Sequence, residues 1–141
     1  MSRYKVGVVG LEHDHVWDVV PGFLADERSE IVAVADANPP LLDQAKEKWG
    51  VEQVFGCWIE MLEKTALDAV IVYGDNSIGA DVVEAAAAKG LHMMVEKPMA
   101  ATLRQADRML IAAEKAEIIL MINWPTAWNP NFATAVDLAT S

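Results

Sequence analysis

Apolar residues along the chain fall into two alternating patterns. Short continuous runs stand at 4–10 (Tyr-Lys-Val-Gly-Val-Val-Gly), 31–35 (Ile-Val-Ala-Val-Ala), 69–73 (Ala-Val-Ile-Val-Tyr), 91–95 and 118–122. Runs of this length and β-branched content predict strands buried on both faces of a parallel sheet, with a shorter one at Val54-Phe55. Between them the apolar positions recur with helical spacing. Val16, Val19, Val20, Phe23 and Leu24 form one stripe, and Leu42, Ala45 and Trp49 a second. Val82, Val83, Ala86 and Ala87 form a third, and Leu103, Ala106, Leu110 and Ala113 a fourth. Each reads as a helix lying on a sheet.

Punctuation sharpens the boundaries. Gly10 ends the first strand, and Pro21 interrupts the first helix. Asn38 followed by Pro39 and Pro40 predicts an N-cap with proline at the first helical position, and Gly50 stops that helix. Residues 58–62 read as a turn. Asn76 or Ser77 is the expected cap of the next helix, which Gly90 ends. Thr102 and Gln105 have the spacing of a capping box. Strands alternating with helices predict an α/β fold, a doubly wound parallel sheet covered on both faces and joined by right-handed crossovers. From Asn123 the pattern changes to two prolines and three aromatics in ten residues, then a short helical tail to Ser141. Trp124, Trp128 and Phe132 have no evident core of their own, which predicts that they meet a second domain or another copy of the chain.

A length of 141 residues, 53% of them hydrophobic, suits one compact core. Eleven basic against twenty-one acidic residues leave a formal charge of −10, which disfavours nucleic acids and anionic membrane surfaces as partners. The charge does not exclude a small phosphate-bearing ligand held by backbone amides at a helix N-terminus. Cys57 is the sole cysteine, so no disulfide framework or multi-cysteine zinc site is encoded. With no signal-peptide pattern and no apolar stretch near twenty residues, the expected setting is cytoplasmic.

In an open doubly wound sheet the ligand lies beyond the carboxyl ends of the strands, at the switch point. The turn after the first strand reads Gly10-Leu11-Glu12-His13-Asp14-His15. It stands where a dinucleotide fold carries G-x-G-x-x-G, but only the first glycine is present, and Glu12 adds a negative charge beside the anion site. Asp36, closing the second strand about 20 residues further on, suits the acid that binds an adenosine ribose diol and opposes a 2′-phosphate. His13, Asp14 and His15 suggest a metal, but residues two apart diverge at a helix start, so the expectation is a polar loop with Asp14 as a cap and no metal. His92 and Cys57 read as packing residues, and the methionines as core filler.

The stretch 70–98, ending in Glu96-Lys97-Pro98 after the fifth long run, resembles the signature of the Gfo/Idh/MocA family, the relatives of glucose-fructose oxidoreductase and inositol dehydrogenase. The likeness runs from Lys5 to about Pro130, with Gly10, Asp36, Asn76, Gly90, His92 and Glu96-Lys97-Pro98 in register. The resemblance implies a Rossmann-type NAD(P)-binding domain with strand order 3-2-1-4-5-6. It also implies hydride transfer between a nicotinamide and a sugar, polyol or related hydroxyl carbon. Lys97 matches the active-site lysine, Glu96 would hold it, and Pro98 sets the turn, often as a cis bond in relatives. The expected cofactor-binding residues are Gly10, Leu11, Glu12, His13, Asp36, Asn76, Glu96, Lys97 and Pro98, with NAD preferred over NADP. The chain departs from the family at Gly74-Asp75-Asn76, where Thr-Pro-Asn is common, and at Asn123-Trp124-Pro125, where a glycine and an arginine-rich turn are usual.

The expected organisation is a dinucleotide-binding domain over 1–122 and a connection over 123–141 toward a substrate domain that is absent here. A small hydroxylated substrate is then a partner only together with that domain. Two alternatives remain at this stage: a non-catalytic nucleotide-binding or sensory module, and a Rossmann-like methyltransferase, against which Glu96-Lys97-Pro98 argues.

Overall fold

A computed structural model describes residues 3–140; Met1, Ser2, Ser141 and the Trp128 side chain lie outside the described residues. Six strands, β1 (Tyr4–Val9), β2 (Ser29–Ala35), β3 (Gln53–Phe55), β4 (Ala69–Val72), β5 (His92–Glu96) and β6 (Leu120–Asn123), form one sheet in the order β3-β2-β1-β4-β5-β6. Every pairing is parallel. The helices are α1 (Asp14–Ala25), α2 (Pro39–Trp49), α3 (Trp58–Lys64), α4 (Gly79–Ala87), α5 (Leu103–Ala116) and α6 (Pro130–Thr140), with a 3-10 turn at Pro125–Trp128. None of the described helices is long and apolar enough to cross a membrane.

Because successive strand residues face opposite sides, the sheet separates two core layers. On one face Val8, Val34, Ile71 and Tyr73 pack under α1 and α2 through Val16, Val20, Leu42 and Ala45. On the other, Val9, Val72 and Val95 pack under α3, α4 and α5 through Met61, Val83 and Met109. Both layers are needed because each strand is apolar on both faces. Parallel strands demand the helical crossovers that supply the covers.

The helix ends show which signals act. Thr102 Oγ1 accepts the Gln105 amide at 3.2 Å, as the capping box predicts. Gly50 ends α2 in the left-handed region at φ +68, its amide bonded to the Lys46 carbonyl. Other expectations are corrected. Asn38 occupies the N-cap position of α2, but its side chain makes no cap bond. The 58–62 segment is not a turn but the start of α3, a helix of seven residues, too short for its period to show in the sequence and fixed by burial of Met61 and Leu62. Neither Asn76 nor Ser77 caps α4. Asp75 Oδ1 accepts the Ser77 amide at 2.6 Å, forming a turn that delays the helix to Gly79. α1 continues through Pro21 to Ala25.

From Trp124 to Thr140 every described side chain is exposed. Trp124 and Phe132 are about half exposed, at 52% and 50%.

Gly10 is the tightest point of the backbone. Its φ is +86, and a Cβ there would stand 2.3 Å from the Gly74 nitrogen. Gly22, on α1, has open space around it. Gly10→Ala is therefore expected to lower stability by at least about 2 kcal/mol in urea unfolding. Gly22→Ala should leave it unchanged or raise it by about 0.5–1 kcal/mol. Equal midpoints for the two variants would contradict this account of the β1 turn.

Candidate functional site

The switch point lies between β1 and β4, whose crossovers leave in opposite directions, and the carboxyl ends of the strands open there into a crevice. Its walls begin with backbone. The Gly10 amide donates to the Ala35 carbonyl at 2.9 Å, and the Tyr73 amide to the Val9 carbonyl at 2.7 Å, which pins the end of β1 between its neighbours.

Two cavities meet at this point. One, of about 340 Å³, runs from Gly10 over the end of β2 and is lined by Asp36, Ala37, Gly56, Cys57 and Trp58 among others. The second, of about 400 Å³, is lined by His13, Tyr73, Asn76, Glu96, Lys97 and Pro98. Glu12, Gly74 and Asp75 line both. The crevice thus holds all but one of the sequence-predicted site residues along its length, with Asp36 toward one end and Lys97 toward the other. Leu11 is the exception. Its side chain is fully buried in the core, its amide donates to Asp36 Oδ2 at 2.6 Å, and its carbonyl accepts from Trp17 Nε1 at 3.1 Å.

Asp36 is more than a ribose candidate. Besides the Leu11 amide, it accepts the Asn38 amide through Oδ1 at 2.7 Å. One carboxylate therefore fixes both the β1 turn and the start of α2. The capping suggested by Asn38 in the sequence is carried out by the backbone of Asn38 and the side chain of Asp36.

At the other end, Glu96 is the centre of a polar cluster. It is 5% exposed. Its Oε2 accepts from Asn123 Nδ2 at 2.8 Å, and its Oε1 lies 2.9 Å from His15 Nδ1. In the tautomer that carries its proton on Nδ1, the imidazole donates this bond. Lys97 Nζ stands 3.9 Å from Oε1, an ion pair longer than a hydrogen bond. The Lys97–Pro98 peptide is cis. Tyr73, 2% exposed, has a hydroxyl with no hydrogen-bond partner among the described residues. Burial, reinforced by the Glu96 carboxylate, pushes the Tyr73 phenol well above its ordinary range, so it stays protonated.

The histidine expectation is corrected. His13, not Asp14, caps α1: its extended backbone turns the ring back, and Nδ1 accepts the His15 amide at 3.1 Å. The rings of His13 and His15 do not diverge; their centroids are 4.5 Å apart, edge to face. Residue 13 lies before the helix and residue 15 inside it, so helical divergence does not apply. Sequence reasoning also missed the roles of His15, Tyr73 and Asn123. His15 and Asn123 meet Glu96 from elements distant in sequence, Tyr73 follows the neighbouring β4, and only the strand order brings them together.

A family model described as "Oxidoreductase family, NAD-binding Rossmann fold" (GFO_IDH_MocA) matches residues 4–124. D-apiose dehydrogenase of Paraburkholderia graminis is 30% identical over 135 residues, covering 92% of this chain and 34% of that protein. Myo-inositol 2-dehydrogenase of Thermotoga maritima is 29% identical over 128 residues, covering 91% and 38% respectively. The chain thus spans between 34% and 38% of the length of these two relatives. Among solved structures, a 3-ketoreductase from Actinomadura kijaniata in complex with TDP-benzene and NADP superposes with a TM-score of 0.87 at 26% identity, covering 99% of this chain and 44% of that one. These matches lend no support to the methyltransferase or non-catalytic alternatives.

Asp36→Ala is expected to cost about 1–3 kcal/mol of folding stability, because the Leu11 amide loses its acceptor in a part-buried site. Asp36→Asn, which keeps one acceptor oxygen, should cost less. Denaturant unfolding checks both, and two variants as stable as the parent would make Asp36 a solvated loop residue.

Proposed function

The chain belongs to the Gfo/Idh/MocA oxidoreductase family, whose NAD-binding Rossmann fold it carries, and on that premise we propose that it binds a nicotinamide dinucleotide across the two joined cavities. In this reading it is the cofactor-binding part of an enzyme that moves a hydride between nicotinamide and a sugar, polyol or related hydroxyl carbon. The observation that carries it is the pair of cavities joined at Glu12, Gly74 and Asp75, with Asp36 toward one end and Lys97 toward the other. Gly10 allows the tight turn that leads from β1 past this crevice.

Asp36 receives the adenosine ribose. Each of its oxygens already accepts one amide, and each keeps a further lone pair for a ribose hydroxyl. The same carboxylate repels a 2′-phosphate, which is the basis for NAD over NADP. Gly10, Glu12, His13 and Asn76 border the middle of the ligand, with Leu11 contributing through the position of its backbone. When bound, the cofactor accepts or supplies the hydride. Lys97, half-buried beside Glu96, orients the substrate hydroxyl and stabilises negative charge developing on its oxygen. Glu96 and the Pro98 turn hold the ammonium in place.

Residues 1–122 are the dinucleotide-binding unit in this reading. Residues 123–141 connect it to a substrate-binding part, whose surface or a second copy would cover Trp124 and Phe132. The setting is cytoplasmic, consistent with a single exposed free cysteine.

Calorimetric titration of the purified chain tests the proposal. NADH is expected to bind saturably and at least about tenfold more tightly than NADPH, and Asp36→Asn should narrow that ratio. Saturable binding of neither nucleotide would overturn the proposal. Glu12→Gln should tighten NADH binding by about threefold, since it removes an exposed like charge beside the diphosphate. Unchanged affinity would place the diphosphate away from Glu12.

A further inference from the structure

His13, His15 and Glu96 each offer one ligand atom, and these atoms all lie within 4.8 Å of one another. The geometry points to a binding site for a divalent first-row transition metal, Zn²⁺ foremost, formed by two imidazoles and one buried carboxylate. Such an ion holds N and O ligands at about 2.0–2.2 Å, so atoms sharing it are separated by roughly 3–4 Å. The His15–Glu96 pair, at 2.9 Å, already meets that spacing. The His13 ligand atom lies within 4.8 Å of both, and its ring closes on the ion as it binds. Two histidines and one carboxylate suit Zn²⁺, Co²⁺, Ni²⁺ or Fe²⁺, whereas Mg²⁺ and Ca²⁺ prefer all-oxygen shells.

Three features distinguish this cluster from an ordinary hydrogen-bonded histidine. Glu96 is buried, and Asn123 fixes its second oxygen at 2.8 Å, which leaves Oε1 oriented toward the imidazoles. This is the support that metal-binding carboxylates receive from their surroundings. Lys97 Nζ, at 3.9 Å, does not occupy that oxygen with a hydrogen bond. Independently, Tyr73 lines the same cavity, and its hydroxyl is buried with no partner among the described residues. A buried hydroxyl without an acceptor is a polar group that the described residues leave unsatisfied. Three protein ligands leave the ion an open position, the arrangement of a reactive rather than a purely structural site. His13 and Glu96 line the Lys97 cavity, from which water or a hydroxyl or carboxylate oxygen of a small ligand completes the shell.

Binding takes the place of the His15–Glu96 hydrogen bond. Both rings are partly open to solvent, and glutamine keeps a polar side chain at the α1 cap and beside Glu96.

The test is titration of the chelator-stripped chain with Zn²⁺ by calorimetry and with Co²⁺ by visible absorption, without nucleotide. One saturable equivalent is expected. His13→Gln and His15→Gln should each weaken it by more than about tenfold. His92→Gln should not change it, because His92 begins β5, at the opposite end of the strand from Glu96. The proposal is overturned by absence of saturable binding, by binding that survives both His13→Gln and His15→Gln, or by binding that is lost with Cys57→Ser but not with these two. Because no nucleotide is present, failure here leaves the dinucleotide reading standing, and failure of NADH binding leaves this site standing.

Discussion

The close approach of two backbones at Gly10 and Gly74 is the constraint on which the site depends. A Cβ at Gly10 would stand 2.3 Å from the Gly74 nitrogen, closer than any side chain tolerates. The end of β1 is also tied to β2 through the Ala35 carbonyl and to β4 through the Tyr73 amide. Asp36 then draws the Leu11 amide toward α2. The chain must therefore leave β1 in a fixed direction. That direction sets the start of α1, and with it the two cavities on either side of the turn.

The same geometry explains how residues far apart in sequence share one polar centre. β4 lies between β1 and β5, so the turn after β1 faces the end of β5 across the end of β4. His15 takes the position where a dinucleotide fingerprint would have its third glycine, and its side chain crosses that gap to Glu96. A glycine there would let helix and sheet pack closely; a histidine fills the space with a group that bonds to a buried carboxylate. The acid is fixed on its other side by Asn123 at the end of β6. Two strand ends and one helix start thus converge at Glu96, and Lys97 is placed by what surrounds its neighbour.

Much of the fold was legible in the sequence because strong apolar runs dictate buried parallel strands and their glycine stops mark the turns. The strand order followed from the family resemblance and holds. Short elements were less legible: α3 has seven residues, too few for a period, and the start of α4 is set by an Asp75 turn rather than by the capping residues beside it. At the site, Asp36 and Lys97 could be picked out by their places at strand ends. Asp36's role in bracing the turn could not, because it depends on which amides face the carboxylate. His15, Tyr73 and Asn123 carry no local signal of their association. The expectation that His13 and His15 diverge failed because a helical rule was applied across a helix boundary.

The most direct measurement of the central claim is an amide chemical-shift map of the isotopically labelled chain on saturation with NADH. The account predicts the largest changes along one line, from Asp36 through Gly10 and Gly74 to Asn76 and Lys97. Changes confined elsewhere, for example to the groove between Trp17 and Trp49, would contradict a ligand lying across the Gly10 turn.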